Sequence, residues 1–135
     1  MIERAIIVVA LAVVVLIGVL AARVAARRRV GAAMGMELPS DLAARLQGSG
    51  AGIIYFHGVH CADCRVQAAI LSRLAGETGV SVAPVDAARE AEMASALAVM
   101  TVPSTVIVDR WRRVRAINLG FRGREALEAQ LLGLS

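Results

Sequence analysis

The chain has 135 residues, 58% of them hydrophobic, with a formal net charge of +4 and two cysteines. That length leaves room for one small domain and little else. The charge is unevenly placed: residues 1–36 hold five arginines and one glutamate, residues 37–135 ten arginines and ten acids, so a pI near 10.4 gives no reason to invoke nucleic acid.

Ala5–Ala22 is an uncharged run of Ile, Val, Leu and Ala. As a helix it spans about 27 Å at about 1.5 Å per residue, close to the roughly 30 Å of a bilayer's hydrocarbon core. A buried core helix is rarely so uniformly apolar, and a signal peptide carries its positive charge before a shorter apolar core. Here Arg23, Arg27, Arg28 and Arg29 follow the run, while Glu3 and Arg4 precede it and cancel. Residues 1–29 therefore read as a single-pass anchor in the cell membrane, and the positive-inside rule sends the rest of the chain to the cytoplasm. Residues 30–37 read as a linker, and residues 38–135 as the folded domain. All 15 basic residues are arginine, which fits a GC-rich bacterial genome.

Ser40 is placed to cap a short helix over Asp41–Leu46, which Gln47–Gly52 breaks. Ile53–His57 is continuously apolar enough for a central strand buried on both faces. A helix then runs from Cys61 to about Ala75, with Val66, Ile70 and Leu74 on its inner face and Leu71 beside them. Val80–Val85 reads as the next strand, and Asp86 as the cap of a helix to about Ala98 bearing Met93, Leu97 and Met100. This alternation predicts a βαβ unit with parallel strands. Thr105–Asp109 and Val114–Leu119 flank Arg110–Arg113 as an antiparallel hairpin, and Arg124–Leu132 closes the chain as a helix that buries Leu127 and Leu131. Trp111 among Arg110, Arg112, Arg113 and Arg115 reads first as a solvated hairpin tip, with contact to anionic headgroups as the alternative.

The chemistry lies in His57-Gly-Val-His60-Cys61-Ala-Asp63-Cys64. Cysteines three apart share the first turn of the predicted helix, with Cys61 at its tip. Unpaired N–H groups and the positive end of the helix dipole favour a thiolate there, which makes Cys61 the nucleophile. Cys64, one turn deeper, is placed to resolve a mixed disulfide. This exchange needs no cofactor. The carboxylate of Asp63 acts to raise the pKa of Cys61, and a protonated His60 acts to lower it. The same stretch offers four zinc ligands in His57, His60, Cys61 and Cys64. Against that reading, a strand end aims the two histidines in different directions, and a domain with its own core does not need a metal.

A strand, C-x-x-C at a helix start, an intervening αβ unit, Val102-Pro103-Ser104 before a strand, and Gly120 before a last helix together resemble thioredoxin, over roughly Leu38–Leu134. The resemblance implies a thioredoxin-like α/β fold with a central mixed sheet flanked by helices. It also implies a cis Val102–Pro103 peptide facing the cysteines, with the Val102 backbone pairing with an extended substrate beside His60. A first edge strand would have to come from Met34–Leu38. There are departures from the family. His60-Cys61-Ala62-Asp63-Cys64 replaces W-C-G-P-C, and the family's buried acid and its lysine partner fall on Tyr55 and Val82. Tyr55 is too weak an acid to replace the carboxylate, leaving Asp63, His57, His60 or a water to take the proton of Cys64.

The sequence thus reads as a membrane-tethered thiol–disulfide oxidoreductase that reduces protein disulfides and is recharged by an unidentified electron donor. The rivals are an inverted anchor, with the domain outside the cell as an oxidase, isomerase or cytochrome-maturation reductase, and a non-enzymatic adaptor that uses the fold for binding.

Overall fold

The computed structural model describes residues 1–134, in two compact units, Met1–Ala32 and the chain from Ala33 onward. The first unit is nearly all of helix α1, Ile2–Ala33, which is long and apolar enough to cross a membrane and has no buried apolar face. It outruns the expected anchor because the arginines and alanines after Ala22 are themselves good helix formers.

The second unit is a sheet between two helical layers. Strands β1 (Gly52–His57), β2 (Ser81–Asp86), β3 (Ser104–Val108) and β4 (Val114–Leu119) take the order β2-β1-β3-β4. β1 pairs parallel with β2 and antiparallel with β3, and β3 pairs antiparallel with β4, so the sheet is mixed as expected. β1 is central, and its apolar run is explained by burial on both sides: Gly52–Phe56 are all buried. Ile54 and Phe56 pack with Val106, Val108, Leu42 and Leu97, on the face covered by α2 (Ser40–Ala43) and α4 (Ala91–Ala96). Ile53 and Tyr55 pack with Ile107, Leu71, Leu74 and Leu127, under α3 (Ala62–Thr78) and α5 (Arg124–Leu132). Arg124 ties these two helices together, pairing with Glu77 and with Glu128, and its guanidinium holds the Glu77 carboxyl below the usual range.

Several expectations need correction. The stretch 30–37 is not a free linker: it is helical to Ala33, after which the Gly35 N–H donates to the Val114 carbonyl at 2.7 Å and the Leu38 N–H to that of Arg112 at 2.7 Å. The edge strand sought in Met34–Leu38 is reduced to a single antiparallel bridge, Glu37 to Arg113. Ser40 is the first helical residue of α2 rather than its cap, and Pro39 holds the cap position. The helix expected from Asp86 to Ala98 shrinks to α4: Asp86 Oδ1 does accept the N–H groups of Ala88 and Arg89 at 3.0 and 3.2 Å, but 87–90 form a turn and the helix runs only from Ala91 to Ala96. On α3 the buried face is Cys64, Gln67, Leu71 and Leu74, while Val66 is 53% exposed. The closing helix and β4 have their expected bounds.

Candidate active site

β1 ends at His57, and the turn Gly58–His60 delivers the chain to the start of α3. The turn needs room: a Cβ on Gly58 would sit 3.1 Å from Cγ2 of Val102, so glycine lets the two loops approach. His60 takes a left-handed conformation, φ 54°, and stands exposed just before Cys61. Cys61 is the N-cap of α3, and its Sγ accepts the N–H of Cys64 at 3.2 Å. A thiolate at this position would receive the same N–H and the positive end of the helix dipole, both of which favour the charged form.

The two sulfurs form a disulfide, with Cα atoms 5.2 Å apart. Cys61 is half-buried and Cys64 buried, so one sulfur is open to attack and the other is withheld from solvent. Asp63 is exposed in the first turn of α3. An open groove of about 570 Å³ brings Tyr55, His57, Gly58, His60, Cys61 and Cys64 together with Pro84 of β2. Among the described residues no cluster of His, Cys, Asp and Glu could hold a metal.

Val102–Pro103 is a cis peptide. Pro103 is buried at the start of β3, and Val102 shares a second groove with Gly58, Val59, Val99 and Met100. The cysteine turn and the proline loop therefore meet through Gly58 and Val102. His57, at the end of β1, lines the groove with the pair, whereas Asp63, on the helix, is not part of its lining.

Tyr55 is the residue on which the resemblance placed the family's acid. Its hydroxyl donates to the Cys64 carbonyl at 2.6 Å, and burial pushes its pKa up. It therefore stays a neutral donor at physiological pH and braces α3 on the sheet. A folded pKa above the unfolded one means that the stability Tyr55 adds is fully present below pH about 10 and is lost as pH rises further. Tyr55→Phe is expected to cost about 1 kcal/mol at neutral pH and to lessen the alkaline decline. Urea midpoints at neutral and alkaline pH check both.

Sequence reasoning missed Gln67. It is fully buried, donating from Nε2 to the Arg122 carbonyl at 3.0 Å and accepting the Arg122 N–H on Oε1 at 2.8 Å. Next to it, Asn118 Nδ2 donates to Thr105 and Gln130, and Asn118 Oδ1 accepts from Gln130 and Arg122. Together these fix the loop after β4 against α3, one turn from Cys64. The only sequence signal was a glutamine spaced three residues from Cys64 and four from Leu71.

The model of the family TraF, F plasmid transfer operon protein, matches residues 27–132. No curated protein matches the chain. Among solved structures, the chain is similar to a mutant thioredoxin from Halobacterium salinarum, at 21% identity and a TM-score of 0.61 over 70% of this chain and 80% of that one. Fasciola hepatica thioredoxin gives 22% and 0.58 over 64% and 83%. Thioredoxin-2 of the malaria parasite, a component of its protein secretion machinery, gives 18% and 0.59 over 64% and 85%. At these identities the likeness shows the fold: a thioredoxin-like α/β sandwich carrying a C-x-x-C pair suited to thiol–disulfide chemistry.

Proposed function

We propose that this chain, which belongs to the TraF family (F plasmid transfer operon protein), is a membrane-tethered oxidoreductase that reduces disulfides of protein clients near the bilayer. The observation that carries the reading is the asymmetry of the pair: Cys61 is reachable at a helix N-cap, with Cys64 buried one turn behind it. The Cys61 thiolate attacks a client disulfide, forming a mixed disulfide and releasing one client thiolate. The Cys64 thiolate then attacks Cys61 Sγ, which closes the Cys61–Cys64 disulfide and releases the second client thiol. Two electrons pass to the client, and a donor must return them.

His57 is our candidate for the proton of Cys64. It lines the same groove, and its ring lies 5.6 Å from that of Tyr55, which itself is engaged with a carbonyl. Asp63 and His60 bias Cys61 in opposite directions. Val102 and Pro103, with His60, are the surface for an extended client segment. α1 is the anchor, and the arginines that follow its apolar run, Arg23 and Arg27–Arg29, direct the domain to the cytoplasm. The family description suggests clients within plasmid-transfer machinery.

The test is the reduction potential of the Cys61–Cys64 pair in the full chain, equilibrated against glutathione. A value near about −270 mV supports a reductase, whereas about −180 to −120 mV would give way to an oxidant or isomerase outside the cell. A pair that forms no disulfide at any poise would end the exchange reading. Labelling of intact cells with an impermeant thiol reagent assigns the side. A second reading, a binding adaptor, draws on the tyrosine at the position of the family's buried acid. It requires that client capture survive loss of both cysteines.

A further inference from the structure

The hairpin between β3 and β4 has no part in this chemistry. Trp111, the chain's single tryptophan, stands 64% exposed at its tip, with the guanidinium of Arg110 4.3 Å from its ring centroid. Asp109, which is buried, builds the tip: its Oδ1 accepts the N–H groups of Trp111 and Arg113 at 2.9 and 3.0 Å. Arg112 is also structural, at φ 62°, donating to the carbonyls of Gly50 and Gly48 at 2.7 and 2.8 Å. With Arg112 holding the loop to the body of the domain, the exposed indole and the guanidinium groups of Arg110 and Arg113 share the tip. The acids beside them are Asp109, whose Oδ2 is 4.0 Å from Arg115, and Glu37. Four arginines against two acids leave the tip basic.

The position of the tip is fixed within this unit by strand register. Gly52 pairs with Val108 at the hairpin end of the sheet, and Phe56 with Ser104 at the end that carries Val102–Pro103 and leads to Cys61. The hairpin and the dithiol thus occupy opposite poles, separated by roughly 20 Å of strand. The chain enters the unit at the hairpin pole, where Gly35 and Leu38 bond to Val114 and Arg112. The uncharged run of α1 ends at Ala22, and the chain meets this pole at Gly35.

We infer that Trp111 with Arg110 and Arg113 docks on the anionic headgroup surface of the bilayer, holding the dithiol pole out toward the aqueous side. The inference rests on α1 being a membrane anchor. An exposed indole beside arginines suits the interface, where the ring sits at headgroup level and each arginine near an anionic surface adds attraction. It also narrows the client class to disulfides presented in the aqueous phase, beyond the reach of thiols inside the bilayer.

The single tryptophan makes this directly readable. The full chain is placed in nanodiscs of phosphatidylcholine, alone or mixed with phosphatidylglycerol, with lipids brominated near the headgroup in either case. In the anionic discs Trp111 emission is expected to shift to shorter wavelength and lose most of its intensity to the bromines. Arg110→Glu and Arg113→Glu are each expected to weaken that contact about fivefold, while reduction of a small soluble disulfide is unchanged. Emission that stays water-like in both discs overturns docking, as does quenching that ignores lipid charge and both reversals. A Trp111 shielded from a water-soluble quencher yet untouched by brominated lipid would mean that protein covers the tip, which also overturns it. Flotation of the chain with the discs is scored separately: failure there overturns the anchor, whereas the fluorescence of a floating chain judges docking alone.

Discussion

Cys61→Ser is expected to abolish disulfide reduction by the full chain, with a loss on the order of 10³-fold or more, the scale of removing a covalent nucleophile. Serine keeps the N-cap of α3, because its hydroxyl can accept the Cys64 N–H that the sulfur accepts now. Stability should therefore change little relative to the reduced protein, and the loss will be one of chemistry. Cys64→Ser separates the two roles. Cys61 still attacks, but nothing behind it can release the client, so mixed disulfides accumulate and turnover stops. Non-reducing electrophoresis of the two variants after exposure to a disulfide-bearing client distinguishes them: an adduct with Cys64→Ser and none with Cys61→Ser. Equal adduct formation by both, or turnover retained by Cys61→Ser, would overthrow the assignment of attacker and resolver.

Gln67→Leu is expected to lower the unfolding free energy by about 2 kcal/mol, from two buried backbone hydrogen bonds lost at about 1 kcal/mol each. For a domain of about 100 residues, each kcal/mol moves the melting temperature by roughly 4–8 °C. Leucine fits the volume and the helix, so the loss isolates the polar pairing with Arg122 from packing. Gln67→Glu should cost more, since it keeps the acceptor, removes the donor and buries a charge. A second readout is local: with the clamp gone, trypsin should cut after Arg122 faster than global unfolding predicts. A Gln67→Leu protein with an unchanged midpoint and an unchanged cleavage pattern would show that the loop is held by other contacts.

The contrast between Cys61 and Gln67 shows what the sequence made legible. The C-x-x-C motif, the apolar β1, the hairpin and the closing helix all announce themselves locally, because spacing and periodicity follow from the element itself. Gln67 does not. A polar residue on a helix is ordinarily solvated, and only the tertiary placement of the Arg122 backbone makes burial favourable. The inner face of α3 is hidden for the same reason: Val66 has the better hydrophobicity, but Cys64, Gln67 and Leu71 have the angle. The ends of turns are equally concealed. His60, Ala98 and Arg112 all adopt positive φ without the glycine that would have marked the bend. The short α4 follows from this: the Ala98 and Val99 N–H groups close on Ser95 and Ala94, ending the helix where composition alone would extend it.

A sheet with open edges offers unpaired backbone groups to a neighbouring copy. In this domain residues 35–38 cover the start of β4's outer edge through their bonds to Arg112 and Val114, while the opposite edge strand, β2, carries Pro84, which has no N–H to offer a neighbour. The entering chain thus does a second task besides joining α1 to the domain. It stands where a strand from an adjacent copy would begin to pair, so that edge-to-edge association is blocked there.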